Sequence, residues 1–396
     1  MCELRDVFIV GAARTAIGSF LGGLKSFKAP DLGGFAIKAA LDRAGVSGRD
    51  IDEVIMGNVV SAGVGQAPAK QAMMKGGIPA NVNSFAVNKV CGSGLKAVEL
   101  ATQSVWLEKN EMVVAGGMES MSQAPHLLWG AREGVKFGDM KLKDAMIYDG
   151  LWCAFDDHHM GMTGEVVAEK YGASREEQDI YAASSHQKAL HAIENGYLKD
   201  EIIPVEVPQR KGDPLVFDTD EGPRKDAKVE KLAHLRPVFK KDGTVTAGNA
   251  SSLNDGGAAV VVASDHAVKE KSLTPLVRIL GAASNALEPQ LVMYAPKGAI
   301  EKLLANVGWK IGDVDLFEIN EAFSSQMVVL IKDLGLDREK VNVHGGAVAL
   351  GHPIGATGAR ILTTLIYALK HRGLKKGIAA LCLGGGDAIA MAVETV

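Results

Sequence analysis

The sequence predicts an α/β fold that is built from two similar halves. Short runs rich in valine and isoleucine alternate with longer segments of helical periodicity, as expected for buried strands covered by helices. The chain also repeats itself, and glycine is unusually frequent, with 46 of 396 residues, which indicates many tight turns. The predicted strands are Val7–Val10, Val54–Met56, Met112–Ala115, Ala258–Val262, Leu316–Ile319 and Ile378–Leu383.

The internal repeat consists of three pairs of segments that occur in the same order. In the longest pair, both segments have a helical pattern, then a glycine that ends the helix, and then an aspartate-rich start of a strand, all at matching positions. The pairs are 36–57 with 299–320, 91–107 with 355–370, and 113–120 with 381–388. The repeat indicates that one half of the fold was duplicated.

The stretch between the repeats differs from them in composition, which indicates an insertion. It is rich in proline and in charged runs, yet Ser174 and Glu177 form a capping-box pattern before an amphipathic helix, so it is not a linker. We expect an N-terminal half at 1–120 that is completed by about 245–269, an inserted loop domain at 121–244, and a C-terminal half at 270–396.

Composition and charge exclude several classes of protein. Hydrophobic residues make up 47% and charged residues 23% of the chain, which is ordinary for a folded protein. The formal net charge of −4 argues against binding to nucleic acid or to an acidic membrane surface. The four cysteines are widely scattered, so neither a disulfide scaffold nor a metal site is predicted. We expect a cytoplasmic protein with reduced thiols and no membrane span.

Cys91 is the first candidate for chemistry. It lies in the glycine-flanked turn 88–94, directly before a helical pattern. A helix N-terminus lowers the pKa of a thiol, and small neighbours allow a substrate to approach the sulfur. The alternative is that Cys91 is a small buried apolar residue.

His352 and Cys382 are the second and third candidates. His352 is held by Pro353 and by glycines before another helix, where it could act as a base or as a donor to an oxyanion, or be purely structural. The glycine spacing around it is not that of a dinucleotide-binding loop. Cys382 ends an apolar strand before three glycines and could exchange protons, or be an inert core thiol.

Asn320 could hold a water or a carbonyl group, but Asn320 and Glu321 could equally cap the next helix.

Together these segments resemble the thiolases, in particular the acetyl-CoA acetyltransferases. The segments that carry the resemblance are NKVCGSGL at 88–95, NEAF at 320–323, NVHGGAVALGHPIGATGAR at 342–360 and CLGGG at 382–386. The resemblance covers essentially the whole chain. It implies a five-layer α/β/α/β/α sandwich of two duplicated halves with an inserted loop domain, and a reversible Claisen condensation of two acetyl-CoA molecules to acetoacetyl-CoA and CoA.

The resemblance also implies roles for individual residues. Cys91 would carry the acyl group, His352 would activate it, and Cys382 would move the α-proton of the second substrate. His352 and a water on Asn320 would hold the enolate oxygen, and the backbone N–H groups of Cys91 and Gly384 would hold the acyl oxygen. Neither a metal nor a permanently bound cofactor is expected, since coenzyme A and acetyl-CoA are substrates.

Coenzyme A contacts are expected mainly from the inserted domain. The residues that the resemblance places along the CoA or its thioester are Leu151, His159, Arg224, Phe239, Ala247, Ser251, Met293 and Phe323. His159 could instead belong to a surface loop. The pair His159-Met160 resembles short-chain members. Residues 124–146, in which Leu127, Leu128 and Trp129 are expected to be exposed, resemble the loop through which thiolase dimers form a homotetramer.

Alternative functions remain at this stage. A degradative 3-ketoacyl-CoA thiolase of broader chain length would share the same motifs. An inactive acyl-CoA-binding protein of this fold would lack a reactive residue, whereas all four are present here. A decarboxylating ketoacyl synthase would have a histidine in place of Cys382. The sequence leaves open the physiological direction, the range of acyl chain lengths, the pathway and any activation by monovalent ions.

Overall fold

A large mixed β-sheet runs through the protein, whose computed structural model describes residues 5–396. The longer strands are β1 (Val7–Thr15), β2 (Glu53–Gly57), β3 (Asn83–Val87), β4 (Met112–Ser120), β5 (Asn254–Ser264), β6 (Val277–Ala286), β7 (Leu316–Ile319), β8 (Lys376–Leu383) and β9 (Asp387–Thr395). The short strands Gly18–Ser19 and Ile202–Ile203 pair with β5 and β1. Each of the six predicted strands lies within one of the longer strands, so these predictions are confirmed.

The strand order confirms the duplication. The first half has the order β1-β5-β4-β2-β3 and the second has the corresponding order β6-β9-β8-β7. An isolated parallel bridge between Phe317 and Val341 takes the place that β3 has in the first half. The two sheets join where β1 pairs with β6, at Phe8 opposite Arg278 and Ile9 opposite Val277.

Helices cover both sheets and separate them. Their bounds are α1 (Ala29–Ala44), α2 (Pro68–Lys75), α3 (Ser93–Trp106), α4 (Gly161–Tyr171), α5 (Arg175–Glu194), α6 (Val229–Leu232), α7 (Asp265–Glu270), α8 (Ala295–Val307), α9 (Ser324–Leu334), α10 (Ala347–Leu350) and α11 (Thr357–Arg372). Helices α3 and α11 contact each other between the sheets, α1 and α2 cover the first sheet, and α8 covers the second. This arrangement is the expected five-layer sandwich.

Side chains of β5 pack into the hydrophobic cores on both faces of the sheet. Val260 and Val262 belong to the central core with Leu95 of α3, whereas Val261 belongs to the core on the other side with Ile37 of α1. Successive side chains of a strand point to opposite faces of its sheet, so a sheet buried on both faces needs an unbroken apolar run. The continuous run of alanine and valine in β5 is therefore explained by its position.

Two glycines allow α3 and α11 to approach each other closely at their N-terminal ends. A Cβ atom on Gly94 would lie 2.7 Å from the backbone nitrogen of Ala359, and one on Gly358 would lie 2.3 Å from the backbone nitrogen of Leu95. Because α3 follows Cys91 and α11 follows His352, this contact brings the two segments together. The second glycine after the cysteine, Gly94, thus serves helix packing.

The stretch between β4 and β5 is anchored by buried charges. Arg14 of β1 is completely buried and donates hydrogen bonds to both oxygens of Asp220 at 2.7 and 2.9 Å and to Glu201 at 2.6 Å. A buried guanidinium needs such partners, so removing one acid would leave an uncompensated charge. The predicted capping box is also present, since Ser174 and Glu177 cap α5, which begins at Arg175.

A hairpin of this stretch presents apolar side chains to solvent. Its strands are His126–Leu128 and Leu142–Asp144. Trp129 and Phe137 are exposed, whereas Leu127 packs inward against a small core that includes Val59 and Met121. The expected exposure of Leu127 is therefore wrong. Within residues 5–396, no helix has the length and apolar character needed to cross a membrane, and no three His, Cys, Asp or Glu side chains cluster as metal ligands.

Candidate active site

The predicted site residues meet in a cavity of about 450 Å³ between the two halves and the inserted stretch. All but one of them line it; the exception is Asn320, which is completely buried. The lining residues from the prediction are Cys91, Leu151, His159, Arg224, Phe239, Ala247, Ser251, Met293, Phe323, His352, Cys382 and Gly384. Residues that are far apart in the sequence thus surround one space large enough for an acyl group and part of its carrier.

Cys91 lies on a strained turn that side chains hold in place. Val90 has a φ of 46°, which is unfavourable for a β-branched residue. The hydroxyl of Ser93 donates to the backbone oxygen of Val90 at 2.6 Å and accepts a hydrogen bond from the backbone N–H of Lys89 at 2.9 Å. Such strain persists only where the surroundings fix the backbone, and it is typical of active sites.

The resting thiol of Cys91 is neutral, contrary to the sequence prediction. Burial raises the pKa of Cys91 to about 12, although the backbone N–H groups of Gly384 and of Cys91 itself face the sulfur and oppose the shift. The predicted influence of the helix N-terminus is smaller than this cost of desolvation. The two N–H groups are the pair expected to hold an acyl oxygen.

His352 is held as a neutral imidazole with a defined tautomer. Its Nδ1 atom lies 2.7 Å from the hydroxyl of Thr357, and that hydroxyl donates to the backbone oxygen of Pro353 at 2.9 Å. The hydroxyl therefore accepts from Nδ1–H, which leaves Nε2 without a proton. Burial, helped by the nearby charge of Arg360, lowers the pKa of His352 to about 3. Nε2 is thus available to accept a proton.

Asn320 and Glu321 follow β7 and face different partners. Asn320 is completely buried, with Nδ2 lying 3.5 Å from Nε2 of His352, and its Oδ1 finds no hydrogen-bond partner within residues 5–396. Phe323 is the N-cap residue of α9, so the capping alternative is wrong. Glu321 instead accepts from four donors, namely Tyr181, Ser185, Asn342 and the backbone N–H of Val348.

Cys382 lies at the end of β8 with its sulfur enclosed. The sulfur lies 3.7 Å from the sulfur of Met293 and 3.6 Å from Oε1 of Gln326. Burial, and to a lesser extent the neighbouring Cys91, raises the pKa of Cys382 far above its usual range. A chain turn follows, in which Gly385 and Gly386 have φ values of 93° and 100°. Both cysteines are therefore neutral thiols at rest.

Aromatic side chains line the outer part of the cavity. The rings of His159 and Phe239 stack with their centres 4.7 Å apart, and Phe239 meets Phe323 edge to face at 6.3 Å. A second cavity of about 490 Å³ shares Arg224 and Ala247 with the first and also contains polar and charged side chains. An elongated ligand with an apolar part and a charged part would fit this pair of cavities.

Comparison with known proteins identifies the family. Residues 7–266 match the model of the thiolase N-terminal domain, and residues 273–395 match that of the thiolase C-terminal domain. The chain belongs to the thiolase family.

Several thiolases with assigned names are similar over almost their whole length. The chain is 52% identical over 388 residues to the acetyl-CoA acetyltransferase of Pseudomonas aeruginosa, covering 98% of this chain and 99% of that protein. The corresponding enzyme of Cupriavidus necator is 52% identical over 391 residues, covering 99% and 100%. The crystal structure of the Bacillus anthracis acetyl-CoA acetyltransferase superimposes with a TM-score of 0.97 and 43% identity over both entire chains.

Three polar residues of this thiolase were missed by the sequence analysis. Glu119 is completely buried and accepts hydrogen bonds from Asn58 and from the backbone N–H groups of Val59, Val60 and Gly355. It thereby connects the loop after β2 with the loop that carries His352. Burial raises the pKa of Glu119 to about 7. The other two residues are Thr357 and Gln326, and their only signal was a polar residue on an apolar helix face.

Proposed function

We propose that this thiolase condenses two acetyl-CoA molecules reversibly to acetoacetyl-CoA and CoA, through an acetyl group carried on Cys91. The observation that carries the proposal is the convergence of two thiols, a neutral imidazole and two backbone N–H donors in one cavity. The acetyl-CoA acetyltransferases of P. aeruginosa and C. necator, at 52% identity, support the choice of substrate.

In the first half-reaction, Nε2 of His352 accepts the proton of Cys91 as the sulfur attacks the thioester carbonyl. The bond between the acetyl carbon and the CoA sulfur breaks, and Cys382 gives its proton to the departing sulfur. The N–H groups of Cys91 and Gly384 stabilise the negative oxygen of the tetrahedral intermediate. Exchange of one thioester for another is nearly isoenergetic, so neither a metal nor a permanently bound cofactor is needed.

In the second half-reaction, the thiolate of Cys382 takes a proton from the methyl group of another acetyl-CoA. The electron pair moves into an enolate, whose oxygen is held by Nε2–H of the protonated His352 and by a water on Asn320. The enolate carbon attacks the acetyl carbonyl on Cys91, a carbon–carbon bond forms, and the acetyl–sulfur bond breaks. His352 then returns its proton to Cys91.

The carrier of the acyl group occupies the two cavities, which share Arg224 and Ala247. Six residues lie along its pantetheine arm and nucleotide, namely Leu151, His159, Arg224, Phe239, Ala247 and Ser251. Met293 and Phe323 border the thioester. Met160 and Met293 both line the cavity, and we expect these long side chains to limit the length of the acyl chain, which favours acetoacetyl-CoA. A degradative 3-ketoacyl-CoA thiolase that accepts longer chains is the second candidate, and comparable specificity constants for acetoacetyl-CoA and a 3-ketodecanoyl substrate would favour it.

The remaining proposals concern the location, the oligomeric state and the domain organisation of the protein. The protein acts in the cytoplasm as a homotetramer, a dimer of dimers that binds no nucleic acid. Its halves are residues 1–120, completed by about 245–269, and residues 270–396. Residues 121–244 form the inserted domain for CoA binding and tetramer formation. The order of the strands and the two cavities support this division.

Two variants test the roles of the cysteines. Cys382→Ser should keep much of the exchange of labelled CoA with acetyl-CoA, because CoA can leave as a thiolate, but condensation should fall about 10²–10⁴-fold. Cys91→Ser should lose both reactions. Intact mass after incubation with acetyl-CoA should show one acetyl group, on Cys91, in the wild type. Equal loss of exchange in the two folded variants would refute the assignment.

A further inference from the structure

One buried side chain beside the cysteines has no task in the reaction described above. Gln326 lies in the first turn of α9 and is completely buried. Its Nε2 atom donates to the backbone oxygen of Asn320 at 3.1 Å, and its Oε1 atom lies 3.6 Å from the sulfur of Cys382. The side chain therefore connects the residue that moves the α-proton with the residue that holds the enolate's water.

The orientation of the Gln326 amide is fixed by its partner at Asn320. A backbone carbonyl can only accept a hydrogen bond, so the NH₂ group of Gln326 must face it. The opposite orientation would place two oxygens together in a buried site. Oε1 consequently faces Cys382, and because an amide oxygen can only accept, the thiol of Cys382 is the donor in this contact. The sulfur of Met293, at 3.7 Å, is the weaker acceptor for the same proton.

This contact distinguishes the thiol from the thiolate of Cys382. The partial negative charge on Oε1 favours the S–H group and disfavours a negative sulfur at the same position. A thiolate that is less stable is a stronger base. The methyl protons of a thioester are weakly acidic, so proton removal benefits from a more basic sulfur.

We propose that Gln326 is a positioning residue for proton transfer, directing the S–H bond of Cys382 and strengthening its thiolate as the base that removes the α-proton. The proposal rests on the function proposed above. In the step it assists, the carbon–hydrogen bond of acetyl-CoA breaks, an S–H bond to Cys382 forms opposite Oε1, and the electron pair remains in the enolate. In the formation of acetyl-Cys91, Cys382 acts as an acid towards the CoA sulfur. CoA can also leave as a thiolate, so this half-reaction depends much less on Oε1.

Gln326→Met tests the proposal, because methionine has a similar length without an amide. Condensation, and the exchange of the acetyl-CoA methyl protons for deuterium, should both fall about 10- to 100-fold. Exchange of labelled CoA should change less than about threefold. Equal falls in the two kinds of exchange would mean that Gln326 is merely structural and would overturn the proposal.

Gln178→Met is the matched control. Gln178 of α5 is also completely buried, and its Nε2 atom donates to the backbone oxygen of Ala173 and to Thr244, each at 3.0 Å. Its replacement should lower stability and leave the ratio of condensation to CoA exchange unchanged. A ratio lowered as much as in Gln326→Met would show that loss of any buried amide has this effect, against the proposal.

Two further measurements keep the proposal testable if Gln326→Met folds poorly. In Gln326→Glu, a neutral carboxyl can donate to Asn320 and still accept from Cys382, so the ratio of condensation to CoA exchange should rise as the pH falls. A ratio that stays constant with pH would contradict this.

The second measurement needs no catalytic turnover. In a Cys91→Ser background, alkylation of Cys382 by iodoacetamide is mapped by mass spectrometry over a range of pH. Its pH midpoint should be lower when Gln326→Met is added than when Gln326 is retained, and an unchanged midpoint would contradict the proposal. Absence of acetyl-Cys91 in the wild type would instead refute the proposed function.

Discussion

The hydroxyl of Thr357 decides what His352 can do. This hydroxyl accepts a hydrogen bond from Nδ1–H at 2.7 Å, which leaves Nε2 without a proton. Burial keeps the ring neutral by lowering the pKa of His352 to about 3. An imidazole with this pKa can accept the proton of Cys91 during the reaction but is unprotonated at Nε2 in the resting enzyme. The proton transfer and the attack on the thioester are therefore expected to occur together.

Replacement of Thr357 by valine should slow the reaction without weakening substrate binding. Valine has nearly the same shape, but Nδ1–H of His352 would lose its partner, and an unpaired buried donor costs about 1–3 kcal/mol. The value of kcat should fall about 10- to 100-fold, with KM changed by less than about threefold.

Thr363→Val is the appropriate control for the Thr357 variant. Thr363 is a buried threonine of the same helix whose hydroxyl bonds to the backbone oxygen of Ala359. Steady-state kinetics on both variants should show a loss for Thr357→Val alone. Similar kcat values for the two variants would contradict the role assigned to Thr357.

At the scale of elements, α5 of the inserted stretch is joined to the loop that precedes His352. Glu321 accepts from Tyr181 and Ser185 of α5 at 2.7 and 2.8 Å and from the backbone N–H of Val348 in α10. Nearby, His344 stacks on Tyr197, with ring centres 5.5 Å apart. Movement of α5 would therefore disturb the segment that carries His352.

His344 should make this junction sensitive to acid. Burial lowers the pKa of His344 to about 4, and further lowering comes from the charges of Arg372, His371, Arg14 and His191. Between pH 6.5 and about 4 the unfolded chain binds a proton at this position and the folded protein does not, so the free energy of unfolding decreases as the pH falls. Above pH 6.5 the ring is neutral in both states.

His344→Phe should remove this contribution while keeping a ring to stack on Tyr197. A shift from 6.5 to about 4 corresponds to about 3 kcal/mol. Relative to the wild type, the variant should therefore gain up to about 3 kcal/mol between about pH 7 and pH 4, measured by urea unfolding at each pH. A difference in unfolding free energy that is the same at every pH would show that His344 does not titrate in this way.

At the scale of the whole molecule, duplication places the reactive groups between the halves. Helices α3 and α11 are equivalent elements of the two halves, and their glycines allow the turns of Cys91 and His352 to meet. Cys382 occupies the end of β8, which corresponds to β4 in the first half. Near the end of β4, Glu119 instead connects the two halves by accepting from the backbone N–H of Gly355. Corresponding strands of the two halves therefore have different roles, a reactive thiol on β8 and a structural carboxylate on β4.

The exposed hairpin predicts the oligomeric state. Trp129 is 52% exposed and Phe137 is fully exposed, and side chains of this kind are typical of surfaces that associate. The protein should be a tetramer by light scattering, and Trp129→Asp combined with Phe137→Asp should reduce it to a dimer. Exchange of labelled CoA should persist in the variant, and an unchanged tetramer would place the interface elsewhere.

The sequence alone determined much of the fold. Unbroken apolar runs identified six strands because both faces of each sheet are buried, and the capping box at Ser174 identified the start of α5 because capping is local. The repeat between 36–57 and 299–320 showed the duplication, which the strand order confirmed. The motifs around Cys91, Asn320, His352 and Cys382 were sufficient to predict that these residues share one site.

Only the tertiary structure decided the electrostatics and the supporting contacts of the site. The pKa of Cys91 depends on burial by distant segments, which outweighs the effect of the local helix. The tautomer of His352 depends on which way the hydroxyl of Thr357 points. The contact of Gln326 with Cys382 joins residues 56 positions apart. Desolvation and hydrogen bonding act over a few ångströms in space, so a sequence pattern, which records only neighbours along the chain, does not contain them.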